Sequence, residues 1–153
     1  MRAIFGIFPL LFVPVIIYNL MAFGFGGGPD GTLSMTENIA RPLMTVGMVA
    51  PGAAWAISSG DLLIIFSMVF FFVEILKSTS TGASTIANHA VSMMVFILCL
   101  IEFLLLKNFS TSVFFILTFM CLLDVLAGVV VTIISARRDF TVGDGGVGAG
   151  MGR

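Results

Sequence analysis

Four side chains of this 153-residue sequence combine titratable chemistry with an apolar setting: Glu74, His89, Glu102 and Asp124. Each falls within a hydrophobic run of membrane-span character, where an ionisable group is costly and requires a partner or a purpose. Counted at 1.5 Å per residue, Glu74 lies about one turn from the inner end of its span, and His89 about one turn into the next span from the same side. Glu102 lies about one turn from the outer end, level with Tyr18 and Asn19, and Asp124 is near mid-span. Together they form a rough ladder across the membrane, and chains of carboxylates and imidazoles are the side chains that relay protons. The step from Glu102 to Asp124 covers about 10 Å of depth, which bridging water would have to close.

The helical angles gather these groups. Cys121, Asp124, Gly128, Thr132 and Ser135 fall within roughly 80° of one face. Ser67 and Glu74 are seven apart and share a face, while His89, Ser92, Cys99 and Glu102 spread over roughly 140°. The polar stripes are therefore expected to face inward and the Phe- and Leu-rich faces to meet lipid. Each group also has a structural reading. Glu74 can pair with Lys77 three residues on. His89 can cap or hydrogen-bond the inner loop, and Glu102 can accept from Tyr18 or Asn19 or pair with Lys107. Asp124 has no basic residue within a turn and is expected to be neutral and bonded to another helix. Cys99 and Cys121 read as inert packing, and Gly128 as a site of close helix contact.

Other chemistry has little to rest on. One His excludes a bis-histidine haem, and nothing specifies a His/Met pair among ten Met. There is no HExxH, CxxC, Walker or dinucleotide-binding glycine motif, and a Ser92, His89 and Asp124 set has no supporting spacing. No catalytic residue, metal or cofactor is expected.

The elements that must position these residues follow from composition. The chain is 59% hydrophobic and 10% charged, with mean hydropathy +1.17 and net charge −1. A soluble domain carries about 25% charged residues. An ordinary soluble enzyme, a disordered chain and a nucleic-acid binder are thereby excluded. A span needs about 20 apolar residues, and four are expected, near 3–23, 60–77, 86–106 and 113–136. The first has features of a signal peptide: Arg2, an apolar run, and Ala22-Phe23-Gly24 as a small-x-small site. It is long for one, and is read as a retained span kinked at Pro9 and Pro14. Asp61 is expected to cap the second span and Lys77 to snorkel at its end. Ser110, Thr111 or Ser112 can cap the fourth. Short connections at 78–85 and 107–112 make spans two to four an up-down group. Asn108-Phe109-Ser110 matches a glycosylation acceptor by chance.

Residues 24–59 form the one sizeable extramembrane element. The runs Leu43–Val49 and Ala54–Ser58 flank Pro51-Gly52 and read as a β-hairpin, because Pro presets the turn's first φ and Gly supplies its positive φ. A re-entrant segment is the alternative. Trp55 suits the outer interface. Residues 141–153 read as a flexible tail, with six glycines in the last eleven residues. With Arg2, Lys77, Arg137, Arg138 and Arg153 on one side and Arg41 and Lys107 on the other, both termini are expected inside. The expected fold is all-α: a four-helix transmembrane bundle over 1–140, with a small extracytoplasmic hairpin between spans one and two.

The stretches Gly60-Asp61-Leu62-Leu63, Glu74-Ile75-Leu76-Lys77-Ser78-Thr79, His89-Ala90-Val91-Ser92-Met93 and Ala136-Arg137-Arg138-Asp139-Phe140 resemble a group of small four-span proteins of bacterial inner membranes. The resemblance covers most of residues 60–140. It implies location and architecture and carries over no functional residues. The expected role is an accessory or scaffold subunit of an inner-membrane assembly, self-associating or bound to partner subunits in the bilayer, with no nucleic acid. The alternatives are a small transporter or proton conduit using the ladder, and a redox anchor.

Overall fold

The structure, a computed structural model, describes residues 8–24, 34–78 and 83–144, with side chains over 8–24, 34–77 and 87–134. In chain order it contains α1 (Phe12–Gly24), α2 (Met35–Ala40), β1 (Pro42–Gly47), β2 (Ala54–Ser58), α3 (Ser59–Ser78), α4 (Ala83–Leu105), a 3-10 turn (Lys107–Phe109) and α5 (Ser112–Asp144). Three of these helices are long and apolar enough to cross a membrane, through Ser59–Lys77, Ala87–Leu105 and Ser112–Ile134.

The first apolar run is described only from Phe8 onward. Its described part is a 13-residue helix, about 20 Å long against about 30 Å of hydrocarbon. The expected kink at Pro9 involves the residues before Phe8, which lie outside the described residues. The Phe12 N–H donates to Pro9 O and the Val13 N–H to Leu10 O, both at 3.1 Å, so turn hydrogen bonds lead from Pro9 and Leu10 into α1. Pro14 then falls in the first helical turn, where a missing N–H costs little.

Two helices begin with the same device. Asp61 caps an N–H at the start of α3 as expected, in a reciprocal pair with the N-cap residue. The cap is Ser58, whose Oγ accepts from the Asp61 N–H at 3.1 Å, while Asp61 Oδ2 accepts from the Ser58 N–H at 2.9 Å. Such a reciprocal box satisfies two otherwise orphaned donors. Ser34 and Glu37 form another at α2, a helix not expected from the sequence although Ser34-x-x-Glu37 is its signature. The Ser34 hydroxyl and then its N–H hold the exposed Glu37 carboxyl below the usual Glu range. Met35 and Ile39 are buried beneath α2, and Ile39 O accepts from Ser59 Oγ at 3.3 Å.

The runs around Pro51-Gly52 pair as a two-stranded antiparallel sheet, with Met44 opposite Ile57 and Val46 opposite Trp55. The Ala53 N–H donates to Ala50 O at 3.1 Å, and Gly52 has φ +77°, the left-handed position that a type II turn requires. The sheet runs straight into α3 with no linker.

Helix α5 is the axis of the bundle. Of its membrane-length window 44% is buried, against 22% for α3 and for α4. Gly60 lies against Val113, and Ser67 borders the same small gap as Met120, so α3 and α5 run parallel. His89 lies against Gly128, and Cys99 meets Cys121, so α4 runs antiparallel to α5. Helix α5 continues through Asp144, four residues into the segment expected to be a flexible tail. The rest of that segment, 145–153, lies outside the described residues.

Candidate functional site

At the start of α1 a polar network forms around Glu74, which is fully buried. Its Oε2 accepts from the Leu10 N–H at 2.7 Å, and its Oε1 accepts from Asn88 Nδ2 at 2.7 Å. Lys77 Nζ donates to Glu74 Oε1 at 3.1 Å, to Asn88 Oδ1 at 2.9 Å and to Phe8 O at 2.6 Å. The expected Glu74–Lys77 ion pair is therefore present, and it does more than anchor one helix. The carboxylate caps backbone at the positive end of the α1 dipole, where a negative charge is stabilised. Asn88 and Lys77 complete a neutral set in which each of the three side chains bonds the other two. Asn88 was not among the sequence-derived candidates; its only sequence signal was its place beside His89.

Glu74 thus meets Asn88 and not His89. Adjacent residues of a helix point about 100° apart: Asn88 faces α3, and His89 faces α5. A Cβ built at Gly128 would overlap the His89 imidazole, so this glycine is the space the ring occupies. One turn along α5 from Gly128, Asp124 is buried opposite Ser92 of α4. Among the described residues, His89 Nδ1, His89 Nε2, Ser92 Oγ and Asp124 Oδ1 are buried with no hydrogen-bond partner. The Ser92 hydroxyl faces the Asp124 carboxyl without hydrogen-bond geometry. Polar atoms buried in this way are few in folded proteins, and each requires a cause.

The other end of α1 is also tied down. Glu102 Oε2 accepts from Asn19 Nδ2 at 3.2 Å, and the same amide donates to Val15 O at 3.1 Å. No Glu102–Lys107 ion pair is found among the described residues. Tyr18 reaches past Glu102: its hydroxyl donates to Asn108 O at 3.1 Å and shares a 2.6 Å hydrogen bond with Thr111 Oγ1. Of the three candidate caps for α5 it is Thr111 that acts, its Oγ1 accepting from the Phe114 N–H at 3.2 Å. Asn108 Nδ2 donates to Ala22 O at 3.0 Å, so the amide of the chance glycosylation motif is engaged in holding the α1 C-terminus. Tyr18, Phe109 and Phe114 pack around this point with centroids 4.6–5.5 Å apart.

Between Asp124 and Glu102 the α4–α5 seam holds the buried thiols of Cys99 and Cys121, with Val95 and Val125 buried nearby. Ser67 is buried and donates to Leu63 O of its own helix at 2.6 Å. Of the four rungs expected from the sequence, Glu74 and Glu102 bond the two ends of α1, while His89 and Asp124 lie between α4 and α5, Asp124 within electrostatic range of Glu74 and Lys77. No group of His, Cys, Asp and Glu suited to a metal is present among the described residues. Comparison with known proteins finds no matching family, no similar curated protein and no similar solved structure.

Proposed function

We propose that the chain is a non-catalytic accessory or scaffold subunit of a bacterial inner-membrane assembly. In this reading α1, α3, α4 and α5 are four membrane elements, both termini are cytoplasmic and the hairpin lies on the outer side. The observation that carries it is the use of Glu74 and Glu102. Both carboxylates bond α1, one through the Leu10 N–H and one through Asn19. A relay needs those groups free to exchange protons; a rigid bundle needs them bonded where they are. The excess of basic residues on the Lys77 side supports the orientation. Mild-detergent purification of the full chain tests the role. A stoichiometric co-purifying chain or a defined homo-oligomer is the expected result, and a monodisperse monomer alone would overturn it.

A second reading, proton uptake within the membrane, is favoured by the unpartnered His89, Ser92 and Asp124 atoms. Intramembrane ionisable groups of this kind mark ion pathways in other proteins. Here the thiols and valines between Asp124 and Glu102 interrupt the path. Proton flux in proteoliposomes that is unchanged by Asp124→Asn removes this reading.

A further inference from the structure

The hairpin presents two unlike faces. Side chains alternate along a strand, and the register puts Met44, Val46 and Met48 on the same face as Trp55 and Ile57. The opposite face carries Thr45, Gly47, Ala54 and Ala56. Of the large residues only Ile57, at the base, is buried; Met44, Val46, Met48 and Trp55 are exposed, and Val49 beside the turn is fully so. No charged residue occurs between Arg41 and Asp61. A two-stranded sheet with such a face uncovered is at best marginally stable in water.

We infer that this face lies on the bilayer, with Trp55, Met48 and Val49 at the headgroup–acyl boundary of the leaflet where α3 begins. Three observations select lipid as the occupant. The sheet passes directly into α3, and the Ser58–Asp61 box fixes that junction, so the hairpin base is held at the membrane surface. The apolar face is continued along the chain by the exposed α3 residues Leu62, Ile65 and Phe66, the surface that meets hydrocarbon. The bare residues extend to Val49 beside the turn, outside the paired strands, which a flat face-to-face pairing of two hairpins would leave uncovered. The depth is limited by the backbone. Both strands have an open edge, and unpaired N–H and C=O groups are too costly in hydrocarbon. At headgroup level water reaches them past the small side chains of the other face, and an indole ring is at home there. The inference rests on membrane insertion and is independent of the accessory role.

Trp55 is the single tryptophan, so the unaltered full chain reports on itself. It is reconstituted at low density into phosphatidylcholine–phosphatidylglycerol vesicles containing lipids brominated at a shallow or a deep acyl position. Expected are blue-shifted emission, stronger quenching by the shallow bromines than by the deep ones, and acrylamide quenching several-fold weaker than for free tryptophan. Met48→Asp with Val49→Asp should raise acrylamide quenching and lower bromolipid quenching. Acrylamide access equal to free tryptophan without bromolipid quenching would overturn the inference, placing the hairpin in water. So would protection from acrylamide that disappears as protein is diluted in excess lipid, which would identify a second copy as the cover. Quenching strongest from the deep bromines would also overturn it, in favour of a re-entrant segment.

Discussion

Glu74 and Asp124 are both buried carboxyls in this bundle, yet their hydrogen bonding differs. Around Glu74 both oxygens accept hydrogen bonds, from a backbone N–H, an amide and an ammonium. Around Asp124 one oxygen has no partner among the described residues, and the nearby Ser92 and His89 are equally unmatched. Burial is therefore not what distinguishes a structural polar group from a functional candidate. What distinguishes them is whether the neighbours complete the hydrogen bonds, since a satisfied network rigidifies and an unsatisfied one destabilises. Glu74 belongs to the device that holds α1; the His89–Asp124 region is where this bundle retains unused polar capacity.

The contrast can be broken at either place. The largest effect is expected from Glu74→Ala, which removes the acceptor of the Leu10 N–H and of Asn88 Nδ2 and the carboxylate of the Lys77 ion pair. Breaking a buried pair in this way costs about 3 kcal/mol or more, read by SDS-induced unfolding in mixed micelles. A loss under about 1 kcal/mol would reduce the network to a surface ion pair. Next is Gly128→Ala, which forces a methyl into the His89 ring and should cost about 1–3 kcal/mol. Adding His89→Ala should recover much of that loss, so a double-mutant cycle with no coupling would separate the two residues. Asp124→Asn should change stability by no more than about 1 kcal/mol, because no completed hydrogen bond is lost. A destabilisation matching that of Glu74→Ala would erase the difference between the two regions.

The smallest effect concerns α2, which lies apart from both. The Glu37 carboxyl is held low by Ser34, so its folded pKa is below its unfolded one. Its contribution is fully present above the ordinary Glu value of about 4.3 and is lost as pH falls through the lowered folded value. Amide shifts of Met35–Ala40 followed by NMR should move only in that acid window. Titration of Glu37 at the ordinary value would show the capping box to be open in solution.

Much of the fold was legible because its determinants are local. Apolar runs of span length specify α3, α4 and α5 to within a few residues of their ends, apart from the extension of α5 to Asp144. Pro51-Gly52 specifies the turn, since only Gly easily adopts φ +77°. The Ser34-x-x-Glu37 signal is equally local, but helix α2 is six residues long, too short to show the periodicity that marks a helix. Of the first expected span, the described residues show the helix Phe12–Gly24, with Pro14 in its first turn, where a missing N–H is tolerated.

The candidate site was legible in its membership and not in its pairing. Glu74, His89, Glu102 and Asp124 are conspicuous because charge is scarce in an apolar run, a property of composition. Their partners are separated by large stretches of chain, 64 residues from Leu10 to Glu74 and 83 from Asn19 to Glu102. Those pairings depend on how far each helix is rotated about its axis and slid along it, and a rotation of one residue exchanges Asn88 for His89 against α3. Local composition places three apolar helices of membrane-spanning length and singles out the few groups that cannot rest in such a setting alone. The packing of α1, α3 and α4 around α5 decided which of those groups are satisfied, because side-chain volumes at close contacts such as Gly128 against His89 set the rotation, and no short stretch of sequence contains both sides of such a contact.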